Sequence, residues 1–322
     1  MAEKNNSIAY MKAILVINMI LAHCIQILYT NNETSIVAQS FQYFSLLVNI
    51  ITFSSFLFAF GYVFYIAYLS KEPIPKNKII KNGITTLMIY YFSAISISIL
   101  NDAEVSIQKI LNILLFNEVI MYSEFLLSFA GISFIGVFFS KSILKITSNV
   151  YLLIITSCIL FAYSIIPTEL GIFIGSNQFA SFPVLLYLPY FLFGIYISQN
   201  KIIFNKNITI VSLAILIAVI CYILINKDIP NRFPPDFFWL ISALPFTYLL
   251  YIFSNYFSNS LIKNNKLILN IGSNTLFFLL FSNVMIFFIK NHFSFVFTWQ
   301  HILIIFSIII FAGIWIIKII RK

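Results

Sequence analysis

Charged residues are scarce in this 322-residue chain: Asp, Glu, Lys and Arg make up 9% of it, against about 25% of an average soluble domain. Apolar residues make up 61%, and the mean hydropathy is +0.99. So few charges cannot keep a folded surface in water, which excludes a soluble enzyme, a disordered tail and a nucleic-acid reader. The composition predicts an integral membrane protein.

Several chemical signatures are also absent. The three cysteines, Cys24, Cys158 and Cys221, lie far apart inside apolar runs, so they predict small buried apolar side chains rather than a disulfide framework. The chain has no GxSxG, HExxH or P-loop motif, and its three histidines lack the spacing of metal ligands. We therefore expect no metal.

The apolar runs predict an all-α fold, a polytopic membrane helical bundle. A spanning helix needs roughly 20 apolar residues, and about ten such segments can be drawn. No internal repeat or linker divides them, which predicts one membrane domain over residues 1–322. The segments are Ile8 to Tyr29, Phe44 to Tyr68, Ile84 to Leu100, Met121 to Phe139, Val150 to Ile166, Phe182 to Ser198, Ile208 to Ile225, Phe237 to Phe257, Leu269 to Ile289, and Phe297 to Ile320.

The distribution of charge along the chain predicts its orientation. With a cytoplasmic N-terminus and ten crossings, 14 of the 19 basic residues fall inside and 4 outside, with Lys12 in the first helix. Seven of the ten acidic residues fall outside. Both termini are therefore predicted to be cytoplasmic, and the long first apolar run without a small-residue cleavage site argues against a removed signal peptide.

Two ionisable residues of the first segment share one helix face. Lys12 and His23 are eleven residues apart, which returns to within about 20° of the same direction, and Gln26 continues the stripe. Ionisable side chains at membrane depth are costly and need a reason. Either Lys12 snorkels to the interface while His23 hydrogen-bonds a neighbouring helix, or the stripe lines a polar cavity.

Glu124 is the third ionisable residue that stands out inside an apolar segment, after Lys12 and His23. It lies near the outer start of the fourth segment, at a depth similar to that of His23, where a carboxylate could orient the imidazole and stabilise its protonated form. The alternative is solvation at the interface. His292 and His301 fall near predicted helix ends and are interpreted as interfacial.

The spacing Lys12-x10-His23, in YMKAILVINMILAHCIQ, resembles the Arg-x10-His signature of the acyltransferase-3 family of integral membrane O-acyltransferases. FSSFLFAFGYVFY is similar to the second-helix motif of that family, with Gly61 retained and Phe60 at the usual serine. Lys78 and Lys81 stand where the loop before the third helix carries arginines. Three further segments resemble family motifs: YLPYFLFGIYIS, RFPPDFFWL and IGSNTLFFLLFSNVMIFF.

Three positions depart from the pattern of the family. Lysine at position 12 keeps the charge but loses bidentate phosphate recognition. Phe60 replaces a serine, and Ser282 stands where many members carry a histidine. These departures indicate a divergent branch and leave a catalytically silent member open.

The resemblance implies transfer of an acyl group, most often acetyl, from acetyl-CoA to a sugar hydroxyl of a cell-surface or lipid-linked glycan. For this function we expect His23 and Glu124 to be catalytic, Lys12, Lys78 and Lys81 to hold the donor, and Gln26 and Arg232 to bind the acceptor. The expected setting is the lipid bilayer of a bacterial plasma membrane, beside polysaccharide-synthesis machinery and without nucleic acid. An exporter or flippase of a lipid-linked or polymeric sugar, and a silent scaffold, stay as alternatives.

Overall fold

A computed structural model describes residues 6–29, 36–101, 106–165, 182–226, 229–259, 265–293 and 295–321. These residues form thirteen α-helices and no β-strand, which confirms the all-α prediction for the described part of the chain. A π-helical turn, Tyr65–Leu69, continues α2, and a short 3-10 helix, Tyr163–Ile165, follows α7. The helices are α1 Asn6–Leu28, α2 Ile36–Phe64, α3 Lys76–Asn101, α4 Ile107–Leu114, α5 Glu124–Phe138, α6 Ser140–Ser148, α7 Val150–Ala162, α8 Val184–Gln199, α9 Lys206–Asn226, α10 Phe237–Asn259, α11 Lys266–Ser273, α12 Thr275–His292 and α13 Trp299–Ile320.

Among the described helices, seven are long and apolar enough to cross a membrane, or eight if the bent pair α5 and α6 is one span. The predicted number of ten is therefore not confirmed, although each predicted segment contains a helix. The shortfall has a geometric reason. At 1.5 Å per residue, the 16 residues of α8 extend about 24 Å, less than the hydrocarbon thickness of about 30 Å.

The fourth predicted segment ends at a sharp bend, and the ninth is interrupted. α5 ends at Phe138, and α6 leaves it at an angle of 88°. α6 is amphipathic, because Ile143 and Thr147 are buried while Lys141 and Lys145 are exposed, so its polar face favours a surface position over a continued span. The ninth segment is likewise divided, since α11 and α12 meet at Asn274.

Helix α1 is the central helix of the first of two compact units. This unit comprises Met1–Thr52, Ile95–Ser106 and Phe253–Lys322, and α1 packs there against α11, α12 and α13. A Cβ atom on Gly272 would lie 1.8 Å from the carbonyl oxygen of Ala9. Only glycine permits this approach, so the backbones of α11 and α1 touch.

The second unit comprises Phe53–Ala94 and Ile107–Ile252, and α2 and α8 cross in it at close range. Added Cβ atoms on Gly61 and Gly194 would lie 2.0 Å from the carbonyl oxygens of Phe191 and Phe58, respectively. Each glycine therefore accommodates the backbone of the opposite helix. Gly61 belongs to FSSFLFAFGYVFY and Gly194 to YLPYFLFGIYIS, two segments that resemble family motifs. Both glycines are needed for the same contact between α2 and α8.

The cysteine prediction is correct for one position only. Cys24 is buried in α1, but Cys158 on α7 and Cys221 on α9 are exposed on the helix surfaces. Apolar runs do not distinguish a face turned to other helices from a face turned outward, because both are apolar in a membrane protein.

Candidate active site

His23 lies in the fifth turn of α1 and contacts a buried amide of α12. The Nδ1 atom of His23 is 2.8 Å from Oδ1 of Asn283, and Asn283 is 1% exposed. Because an amide oxygen only accepts hydrogen bonds, Nδ1 of His23 carries the proton in this contact. In the neutral ring, Nε2 then holds the lone pair, which is the arrangement that a general base requires.

Asn283 is the residue of this pair that sequence reasoning missed. The family pattern singles out the neighbouring Ser282, where many members carry a histidine. The hydroxyl of Ser282, however, donates to the carbonyl of Leu279 within its own helix, at 3.1 Å. The available signal was an amide inside the apolar stretch FLLFSNVMIFF, because a buried side-chain amide requires a hydrogen-bond partner.

The other two residues of the α1 stripe differ in their contacts. Gln26 is exposed, and its Nε2 atom donates to the hydroxyl of Ser45 on α2 at 2.7 Å. Lys12 is partly buried, and within the described ranges it forms no hydrogen bond or ion pair. All of these residues belong to the first unit, whereas their predicted roles toward donor and acceptor stay predictions.

Glu124 is the first residue of α5, in the second unit. It is 6% exposed, so its side chain is buried rather than solvated, and Oε2 accepts a hydrogen bond from the backbone N–H of Ser123 at 3.1 Å. The hydroxyl of Ser123 lies 2.8 Å from that of Ser93 on α3. His23 and Glu124 belong to different units, and their pairing stays a prediction.

Arg232 lies in the loop before α10, also in the second unit. Asp236 fastens this loop, because its carboxylate accepts hydrogen bonds from the backbone N–H groups of Asn231, at 2.8 Å, and Trp239, at 2.6 Å. The guanidinium carbon of Arg232 lies 4.4 Å from the centre of the Phe233 ring. Burial lowers the pKa of Arg232.

The side chains around Arg232 come from the starts of other helices of its unit. Arg232 interacts electrostatically with Tyr187, in the first turn of α8, and with Glu124 and Tyr122 at the start of α5. Trp239, in the first turn of α10, also interacts with the Tyr187 hydroxyl. Arg232 and Glu124, two of the predicted site residues, are thus brought into one cluster.

Lys78 and Lys81 are exposed on the first turns of α3. One face of this helix borders a groove of about 480 Å³, lined by Asn77, Ile80, Lys81, Ile84 and Thr85. The lysines belong to the second unit and Lys12 to the first, so a joint clamp on the donor stays a prediction.

An all-helical membrane fold in which a histidine of α1 is paired with an amide of α12 is consistent with the class of membrane acyltransferases. The family model Acyl_transf_3, described as an acyltransferase domain, matches residues 5–319. Because the match covers nearly the whole chain, the protein belongs to the acyltransferase-3 family and is a multi-pass membrane protein. No match was found among curated proteins or among solved structures.

Proposed function

We propose that this protein is a membrane O-acyltransferase that transfers an acyl group, expected to be acetyl, from acyl-CoA to a sugar hydroxyl of a cell-surface or lipid-linked glycan. The observation that supports this function is the contact of His23 with Asn283 in a member of the acyltransferase-3 family. An amide that holds Nδ1–H directs the basic Nε2 of the same ring toward a substrate.

The proposed step is general-base catalysis by His23. Nε2 of His23 removes the proton of the acceptor hydroxyl while its oxygen attacks the thioester carbonyl. A carbon–oxygen bond forms, the carbon–sulfur bond breaks, and the proton passes from the imidazolium to the departing thiolate of coenzyme A. An acyl relay through His23 is the second route, and it would leave a covalent acyl-imidazole between two half-reactions.

The remaining residues are assigned by charge and position. Lys12, Lys78 and Lys81 are proposed to attract the phosphates of the donor, since clustered cations concentrate an anionic substrate. Glu124 is proposed to stabilise the protonated imidazole, while Gln26 and Arg232 contact the acceptor. The chemistry needs no metal.

The proposed setting follows from the charge distribution of the sequence. Both termini lie in the cytoplasm of a bacterium, the chain resides in the plasma membrane, and the enzyme works beside the polysaccharide-synthesis machinery that supplies its acceptor. This orientation brings the lysines at the start of α3 to the side where acyl-CoA is made.

Purified protein and intact cells together test this function. Labelled acetyl-CoA is incubated with the protein in lipid nanodiscs and a glycan fraction, and the acid-stable label is followed. Mass spectrometry then compares cell-envelope glycan with and without the gene. Loss of an ester on deletion supports the enzyme, and unchanged esters contradict it.

The exporter stays as the alternative because one apolar pair of helices is bent by 88° between α5 and α6. Broken helices in transporters place backbone groups at a transport site. Under this alternative, deletion causes unexported glycan precursor to accumulate without any loss of esters. A change in neither quantity would favour a silent scaffold.

A further inference from the structure

The guanidinium of Arg232 is held in place without a polar partner. Among the described residues it donates no hydrogen bond, and no carboxylate oxygen lies within the 4.0 Å of an ion pair. Its guanidinium carbon lies 4.4 Å from the centre of the Phe233 ring. A guanidinium has five N–H donors, and the residues that the structure describes accept from none of them.

Holding this cation in a partly buried position is costly. Removal of a charged group from water is unfavourable unless hydrogen bonds replace those with water. Glu124 acts on Arg232 electrostatically, at longer range than an ion pair, while its Oε2 atom accepts the backbone N–H of Ser123. The carboxylate of Asp236 is used by the backbone of the loop.

The surroundings of Arg232 favour an anion. Three helices, α5, α8 and α10, contribute residues of their first turns to this cluster, and helix N-termini carry partial positive charge. Tyr187 and Trp239 add two aromatic side chains that interact with each other. An arginine fork matches the two oxygens of a carboxylate or phosphate, which a lysine cannot do.

We propose that Arg232 binds an oxyanion of the acceptor, so that the acceptor is an acidic sugar or a sugar joined to its carrier through phosphate. This inference rests on the proposed function, because it narrows the class of acceptor for the same enzyme. Carboxylate and phosphate share the chemistry that Arg232 recognises, and the experiment below separates them.

The test uses the fluorescence of Trp239 in the full-length protein. The chain has three tryptophans, so Trp299→Phe together with Trp315→Phe leaves Trp239 as the only reporter. The probes are methyl glucuronide for a carboxylate, inorganic diphosphate for a phosphate, methyl glucoside as the neutral isostere, and coenzyme A for the donor. Saturable binding is expected for methyl glucuronide or diphosphate and is not expected for methyl glucoside.

Two variants assign the binding to Arg232. Arg232→Gln is expected to weaken binding of the preferred anion about tenfold or more, the value of a charged hydrogen bond. Arg232→Lys keeps the charge without the fork and is expected to recover part of that affinity, which also covers the case that Arg232→Gln does not fold. Lys290→Gln is the matched control, because Lys290 is an exposed cation in the other unit.

The outcomes distinguish this inference from the function on which it rests. Equal binding of methyl glucoside, or unchanged affinity of both Arg232 variants, overturns the oxyanion site while labelled acetyl transfer continues. Binding of coenzyme A alone that depends on Arg232 also overturns it, since the site would then belong to the donor. Anion binding without any acyl transfer would instead contradict the proposed function.

Discussion

The two polar clusters differ in how their side chains find partners. In the first unit, His23 and Asn283 lie within long helices, and each satisfies the other at 2.8 Å. In the second unit, Glu124 stands at the start of α5 and Arg232 in a loop. Backbone N–H groups donate to the carboxylates of Glu124 and Asp236, and the guanidinium of Arg232 forms no hydrogen bond or ion pair with the described part of the chain. We infer from this difference that the pair of His23 and Asn283 positions a general base, whereas the cluster around Arg232 binds a ligand.

The largest effect on the rate of acyl transfer is expected from replacing His23 in the first cluster. His23→Ala removes the proposed base, and general-base catalysis contributes about 100- to 10,000-fold to a rate. The transfer rate from labelled acetyl-CoA is expected to fall by about that factor while the protein still inserts in the membrane.

His292→Ala is the matched control for this change. His292 is an exposed histidine of the same unit that stacks on Phe288, and its loss is expected to leave transfer unchanged. Acyl transfer at the wild-type rate in His23→Ala would remove His23 from the mechanism.

Breaking the second unit at its helix crossing is expected to affect stability rather than catalysis alone. In Gly61→Ala the new methyl group would lie 2.0 Å from the backbone oxygen of Phe191, so α2 and α8 must separate. Overpacking of this kind costs about 3 kcal/mol. The thermal midpoint in detergent, followed by circular dichroism, is expected to fall by several degrees.

Gly83→Ala controls for the loss of a helical glycine. Its methyl group would lie 3.2 Å from the ring of Phe134, a side chain that can move, and alanine favours the helix. A stable Gly61→Ala protein, or equal effects of both changes, would show that the close crossing is not needed.

The sequence predicted the apolar helices well, because hydrophobicity and length determine which segments are helical in a membrane. It did not predict the bend after Phe138 or the division at Asn274. Both breaks depend on whether a short polar stretch lies at the surface or packs against neighbouring helices, which the local sequence does not determine. The count of ten spans is not confirmed because α7 and α8 are shorter than the spanning helices, which apolar character alone does not reveal.

The candidate site was predicted only in part. The α1 stripe follows from helical periodicity, so His23, Lys12 and Gln26 could be read from spacing. The partner of His23 lies 260 residues away, and no local pattern links Asn283 to it. The neighbours of Arg232 likewise come from separate helices, which only the folded chain brings together.

Asn283→Ala tests whether the amide of the first cluster serves catalysis. It leaves the imidazole present but removes the acceptor for Nδ1–H, and loss of such a partner costs about 1–3 kcal/mol. The expected result is a fall of about 10- to 100-fold in kcat, with the KM for acyl-CoA unchanged.

Ser282→Ala provides the comparison, because its hydroxyl bonds only to its own helix in the described structure. It should retain kcat. If Ser282→Ala were as impaired as Asn283→Ala, both changes would act through the packing of α12, and the amide would have no special role toward His23.

The smallest effect is expected at the exposed cations of the second unit. Lys78→Glu together with Lys81→Glu is expected to raise the KM for acetyl-CoA about three- to tenfold and to leave kcat nearly constant, because exposed charges attract the donor but do not touch the reacting atoms.

Lys141→Glu together with Lys145→Glu reverses the same number of exposed charges on α6 and serves as the control. Raised salt should reduce the difference between wild type and the α3 variant, since ions screen exposed charges. An unchanged KM in the α3 variant would show that Lys78 and Lys81 do not bind the donor and serve only to orient the chain in the membrane. Donor recognition would then depend on residues of the first unit such as Lys12.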